Sequence, residues 1–250
     1  MTISDPARTG SSPATAPEPA PRDPPRGFDA VETWVFDLDN TLYPAQHDLW
    51  GQIDARMRDY ISGLLNITPE QAFATQKDYY RRYGTSLRGL MIEHGIDAHA
   101  FLDHVHDVDL TNLEPSPRLA AAIEGLPGTK LIYTNGSERH ALNVMEKLGI
   151  DSHFAAVHDI VAAEFHPKPT QEAYERFLRA HGVEAPRAAM FEDLARNLEV
   201  PHRLGMTTVM VVPPGERIDT RESWEFEGRE AAYIDHVTED LAGFLERLGQ

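Results

Sequence analysis

The 250-residue chain contains no cysteine, which excludes disulfides, thiolate nucleophiles and zinc sites of the sulfur type. No stretch comes near the roughly eighteen consecutive apolar residues that a membrane-spanning helix needs. The opening MTISDPARTGSSPATAPEPAP lacks the apolar centre of a secretory signal, so the expected compartment is the cytoplasm. Positive charge is short as well: 23 Lys and Arg stand against 40 Asp and Glu, a net charge of −17. Such a surface repels nucleic-acid phosphates and anionic lipids, which argues against a nucleic-acid polymer or a membrane as partner. An anionic small molecule would bind only with help from a cation, from Lys or Arg, or from a helix N-terminus.

Hydrophobic residues at 41% and charged residues at 25% are those of a globular protein, and the length suits one domain with a sizeable insertion. Residues 1–27 carry seven of the 18 prolines and no aromatic residue, the composition of a disordered tail. From Val31 the texture changes. TWVFDLDNT is a β-prone apolar run that ends in carboxylates, and similar runs recur as KLIYTN (130–135), AAMFED (188–193), TTVMVV (207–212) and AAYIDHV (231–237). Helical patterns lie between them. Ala141, Val144, Met145 and Leu148 follow Ser137, Ala173, Tyr174, Phe177 and Leu178 run between Thr170 and Gly182, and Leu241, Phe244, Leu245 and Leu248 fit a closing helix. The alternation implies an α/β fold with a doubly wound, mostly parallel, Rossmann-like sheet.

Residues 45–111 break this rhythm with helical periods alone. Leu49, Ile53, Met57, Ile61 and Leu64 form one stripe, and Thr68, Pro69 and Gln71 supply an N-cap, a first-turn proline and a capping-box partner for the next helix. Leu87, Leu90 and Met91 precede Gly95 as a C-cap, and Phe101 with Val105 fit a fourth helix from near Asp97. The expected organisation is a core of residues 28–44 and 112–250 with an all-helical cap, 45–111. An insertion at this point lies over the carboxyl ends of the strands, where open α/β sheets bind ligands.

Four short segments carry chemistry. Asp37 and Asp39 in DLDNT share one face if the first strand persists through Asp39, and two carboxylates that close either raise one pKa or hold a divalent cation. Thr134, Asn135, Gly136 and Ser137 bring a hydroxyl, an amide and backbone N–H groups to a helix start, which suits phosphate oxygens; a helix cap accounts for Ser137 equally well. Lys168 sits between two prolines that forbid helix there, with Pro169 able to open the next helix. Glu192, Asp193 and Asn197 follow another apolar run and offer a second source of carboxylate, or simply acids at a helix start.

In this order DLDNT, TNG, the lysine of PKP and FEDLARN resemble the four motifs of the haloacid dehalogenase superfamily of phosphohydrolases, over residues 31 to about 212. DLDNTLYP (37–44), KDYYRRYGTSLRGL (77–90) and NLEVPHRLGM (197–206) are similar to its pyrimidine 5'-nucleotidase branch. The resemblance implies a Mg2+-dependent phosphomonoester hydrolase acting on UMP- and CMP-type nucleotides. Asp37 would be the nucleophile and Asp39 the acid and then the base. Asp37, the Asp39 backbone carbonyl and Asp193 would hold Mg2+, with Glu192 close behind or competing. Thr41, Thr134, Asn135, Gly136 and Lys168 would bind the phosphoryl group, and Lys168 and the metal would offset the negative charge. Within the cap, Arg88 and Tyr83 are the expected contacts to the nucleotide, while Tyr79 and Tyr80 could stack on a base or pack helix on helix. His99, His104 and His106 do not share a helical face and are expected at the surface. The alternatives are a sugar-phosphate or phosphoglycolate phosphatase, then a 2-haloacid dehalogenase or a non-catalytic regulatory protein.

Overall fold

The computed structural model describes residues 24–43, 47, 49–212 and 227–249. Among them the chain runs through strand β1 (Thr33–Phe36) and helices α1 (Leu49–Leu65), α2 (Pro69–Tyr83), α3 (Ser86–His94), α4 (Ala98–Val105) and α5 (Pro117–Glu124). It continues through β2 (Thr129–Tyr133), α6 (Glu138–Leu148), β3 (Ala156–His158), α7 (Gln171–His181) and β4 (Ala188–Glu192). Helix α8 (Glu199–Leu204), β5 (Thr207–Val211), β6 (His236–Thr238) and α9 (Leu241–Leu248) complete it. The six strands form one parallel sheet in the order β3-β2-β1-β4-β5-β6, the doubly wound Rossmann-like architecture that the alternating pattern implies.

The apolar runs are continuous because the sheet is covered on both faces. Trp34 and Phe36 of β1 pack with Ile132, Phe191 and Val209 in a cluster closed by α5, α6 and α9. Val35, between them, points the other way and joins Leu131, Tyr133 and Met190 beneath α7 and α8. Helices α1 to α4 have a third apolar cluster, built on Ile61, Tyr79, Leu90, Phe101 and Val105 and reaching Ile160 of the sheet-bearing part. The capping box forms: Gln71 N donates to Thr68 Oγ1 and Thr68 N donates to Gln71 Oε1. Gly84 ends α2 at φ +87, and a Cβ there would come within 3.0 Å of Pro167, so the insert meets the loop that carries Lys168. At Gly89 a Cβ would lie 2.5 Å from Tyr79 Cβ, which is how α3 approaches α2 so closely.

Several boundaries differ from the sequence reading. Strand β1 stops at Phe36 and does not reach Asp39, because the chain turns: Thr41 N and Leu42 N both donate to Leu38 O, and Asn40 takes φ +61. Helix α7 opens at Gln171 with Thr170 as its N-cap, two residues beyond Pro169. Strand β6 starts at His236, not Ala231, since Tyr233 O and Asp235 N are bonded to the Thr208 hydroxyl. Strand β3 and helix α5 were not anticipated. The disordered-tail expectation lies outside the described residues up to residue 23. Beyond it Arg26 is docked, its guanidinium donating to His202 O and Met206 O, both at 2.8 Å, and its N–H to Asp235. Among the described residues no helix is long and apolar enough to cross a membrane.

Candidate active site

Sheet order reverses between β1 and β4, so the crevice for a ligand opens at their carboxyl ends. Asp37 directly follows β1, Glu192 ends β4 and Asp193 comes next. Lys168 Nζ reaches this point from below α7 and donates to Asp37 Oδ1 at 2.7 Å, Glu192 Oε1 at 2.9 Å and Tyr133 O at 2.8 Å. Those bonds use all three ammonium protons on a side chain that is 1% exposed. Burial acts against the ammonium, but the pairs with Asp37 and Glu192 outweigh it and hold the pKa above its ordinary value. For Asp37 burial dominates and raises the pKa, reinforced by Glu192 and Asp193 and opposed by Lys168.

Carboxylate oxygens of Asp37, Glu192 and Asp193 lie within 4.8 Å of one another, all buried. Asp37 and Glu192 share the Lys168 ammonium, and Asp193 adds a third carboxylate to this buried site. A hard divalent cation with oxygen ligands fits that donor set. Glu192 is already heavily used: Oε1 accepts from Lys168 and from Asn197 Nδ2 at 2.6 Å, and Oε2 accepts from Leu194 N at 2.8 Å. Asp37 carries two bonds, from Lys168 and from the Thr41 hydroxyl at 3.0 Å. Asp37, Glu192 and Asp193 together form the carboxylate group that could hold such an ion. Thr41 does not line the cavity; its hydroxyl orients Asp37.

Asp39 reaches the cavity through the turn after β1, not along the strand. Its Oδ1 accepts from the Tyr43 hydroxyl at 2.5 Å and lies 2.8 Å from His140 Nε2. Burial raises its pKa, yet His140 and the Tyr43 hydrogen bond prevail and bring it to about 2. His106 stacks on His140 with ring centroids 4.5 Å apart, and its Nδ1 is 2.9 Å from Ser137 Oγ. His106 thus belongs to the wall of the cavity, whereas His99 and His104 are exposed as expected. His140 has no counterpart in the sequence reading. Its spacing from Val144 and Leu148 puts it on the buried face of α6, one turn past the Thr134–Gly136 segment, and that was the available signal.

After β2, Thr134 Oγ1 accepts from Gly136 N at 2.9 Å, so the hydroxyl proton is left for a ligand and the Gly136 N–H is not. The Asn135 side chain clamps the lysine loop, accepting from Lys168 N at 2.9 Å and donating to Lys168 O at 3.3 Å. Ser137 caps α6, accepting from His140 N. Asp37, Asp39, Thr134, Asn135, Gly136 and Lys168 all border one cavity, with Glu192 and Asp193 beside them.

The cavity has a volume of about 130 Å3, and α1, α2, α3 and α4 form its roof. Apolar side chains dominate there, including Ile53, Met57, Leu87, Phe101 and Leu102, with Trp50, Gln76, Lys77 and Tyr80 adding polar atoms. Tyr83 and Arg88 are not among the lining residues. Tyr83 bonds Glu93 and Arg82 on the outer side of the insert, and Arg88 reaches Phe165 O at 3.5 Å and His166 at 3.4 Å. Arg196 of the loop after β4 lies 4.2 Å over the Tyr80 ring, a cation–π contact between floor and roof.

A family model described as haloacid dehalogenase-like hydrolase matches residues 31–205. The chain is 24% identical over 244 residues to "Phosphate metabolism protein 8" of Saccharomyces cerevisiae, covering 90% of this chain and 73% of that protein. It is 28% identical over 187 residues to a phosphoglycolate phosphatase of Mesorhizobium japonicum, covering 71% and 81% of the two chains. Among solved structures, L-2-haloacid dehalogenase from Xanthobacter autotrophicus superposes with a TM-score of 0.55 at 18% identity, over 87% of this chain and 98% of that one. At that identity the likeness establishes the fold alone.

Proposed function

The chain belongs to the haloacid dehalogenase-like hydrolases, and from that premise we propose that it is a Mg2+-dependent phosphomonoesterase that forms an aspartyl-phosphate on Asp37 and acts on pyrimidine nucleoside monophosphates. The observation that carries the phosphatase reading is the pair Asp37 and Asp39: both border the cavity, but Asp37 is held by Lys168 and Thr41 and Asp39 by His140 and Tyr43. Displacement of halide at carbon requires no proton donor, because halide departs as the anion. Transfer of a phosphoryl group to water needs a nucleophile and a separate acid and base.

In the first step an Asp37 oxygen bonds to phosphorus as the ester P–O bond breaks, and Asp39 gives its proton to the departing oxygen. In the second, Asp39 takes a proton from water as the water oxygen attacks the aspartyl-phosphate, releasing inorganic phosphate and restoring Asp37. His140 and the Tyr43 hydroxyl hold the Asp39 carboxyl in place for both proton transfers. Asp37 and Asp193, with the Asp39 backbone carbonyl, would hold Mg2+, which when bound supplies charge neutralisation for the carboxylates and the dianion. Lys168 orients Asp37, and the Thr134 hydroxyl and the Asn135 backbone bind phosphoryl oxygens. The helical insert, acting as a cap, excludes water and selects the leaving group.

The roof supports a nucleotide over a small second anion. Its ammonium, Lys77, is 3.6 Å from Asp54, and the remainder is largely apolar, which suits a ring better than a glycolate carboxylate. The expected location is the cytoplasm. The test is a panel of UMP, CMP, AMP, sugar phosphates, phosphoglycolate and a 2-haloacid, each with Mg2+ and with excess chelator. UMP and CMP should give the highest kcat/KM, lost in chelator. Dechlorination, or metal-independent turnover, contradicts the chemistry; a preference for purine or sugar phosphates contradicts the substrate.

A further inference from the structure

Two polar atoms on the insert side of the cavity are buried and without a partner among the described residues: Trp50 Nε1 and Gln76 Oε1. Gln76 is 3% exposed. Its orientation is fixed from behind. Asp54, fully buried and paired with Lys77, accepts from Gln76 Nε2 at 2.8 Å, and the Met57 sulfur takes the same amide nitrogen at 3.9 Å. A carboxylate has no proton to give, so the amide nitrogen must face Asp54 and the carbonyl oxygen must face away from it. The indole nitrogen of Trp50 is a donor and nothing else. Both residues border the cavity with Ile53, Met57, Phe101 and Leu102, and each keeps a buried polar atom, an acceptor on Gln76 and a donor on Trp50, that has no partner among the described residues. Buried polar groups are rarely left so, and two on residues that border one cavity point to a ligand that satisfies both.

We propose that Gln76 and Trp50 read the edge of the leaving group: Gln76 Oε1 accepts a ring or amino N–H, and Trp50 Nε1 donates to the neighbouring ring acceptor. The N3–H of uracil with its flanking carbonyl has this pattern, and so does the amino group of cytosine with its ring nitrogen. Asp54 is a positioning residue that prevents the Gln76 amide from turning over. The inference rests on the nucleotide reading of the site and replaces Arg88 and Tyr83 as the source of selectivity with residues that line the cavity.

The test compares kcat/KM for UMP, for 3-methyluridine 5'-monophosphate and for p-nitrophenyl phosphate. In 3-methyluridine the N–H is gone, so the wild-type enzyme should lose about tenfold or more relative to UMP, mainly through KM. Trp50→Phe and Gln76→Met should each lower the ratio of UMP to p-nitrophenyl phosphate about tenfold, and Gln76→Met should shrink the penalty for the methyl group. Damage to the fold would reduce both substrates together and leave that ratio unchanged. The wild-type comparison needs no variant and decides the matter if one fails to fold. Equal turnover of UMP and its N3-methyl derivative, or an unchanged ratio in both variants, overturns the inference alone. A wild-type preference for sugar phosphates over both pyrimidine nucleotides overturns the nucleotide reading and this inference with it.

Discussion

His140 Nε2 lies 2.8 Å from Asp39 Oδ1, so the carboxylate proposed to move protons is held by a side chain from the helix after β2. If Asp39 protonates the leaving oxygen, its loss should depend on the leaving group. Asp39→Asn should slow uridine release from UMP by about 10²- to 10⁴-fold, the usual worth of a positioned acid. An initial burst of p-nitrophenolate should persist, because that anion departs without a proton. Rapid-mixing measurements on both esters check this, and equal loss in the first turnover would remove Asp39 from the role of acid.

Lys168 is bonded to both Asp37 and Glu192, and all three are buried. Lys168→Met should leave two carboxylates facing each other without it. Breaking a buried pair in this way costs about 3–5 kcal/mol. Urea denaturation in excess chelator should show a lower midpoint, with part of the loss recovered on adding Mg2+. An unchanged midpoint would show that the ion pairs contribute little to stability.

The sheet was legible because its central strands are apolar on both faces, as Val35, Met190 and Val209 show, and because carboxylates interrupt the apolar runs where they reach solvent. Strand β3 escaped because three residues, Ala156 to His158, are too few for a period to register. The order Asp37, Thr134, Lys168, Asp193 exposed the floor, since each follows a strand or sits in a rigid loop. The helices of the roof were legible, but not which of their polar side chains border the cavity. Tyr83 and Arg88 stand out as polar residues in a helical stretch, but the turn at Gly84 directs them to Glu93 and to the Phe165 loop. Gln76 lies on the buried face of α2 with Ala72 and Tyr79, and Trp50 follows Leu49 of the apolar stripe; neither residue type by itself signals a ligand contact.

His158 supplies a pH test. Its ring is buried and 3.2 Å from His181, and burial first, then His181, lowers its pKa to about 4 from the ordinary 6.5, against Asp159. The unfolded chain therefore binds more protons between those values, and stability falls as pH drops through that window. The melting temperature should decline from about pH 6.5 to about pH 4, and His158→Gln should flatten the decline. An identical slope in the variant would show that His158 is not a source of the acid sensitivity.

As the proposed nucleophile, Asp37 becomes phosphorylated during turnover. Acid quenching of the enzyme during turnover of UMP with Mg2+, followed by peptide mass analysis, should find one added phosphoryl group on the peptide carrying Asp37 and none in Asp37→Asn. A phosphoryl group trapped on another residue, or full UMP turnover by Asp37→Asn freed of wild-type enzyme, would contradict it.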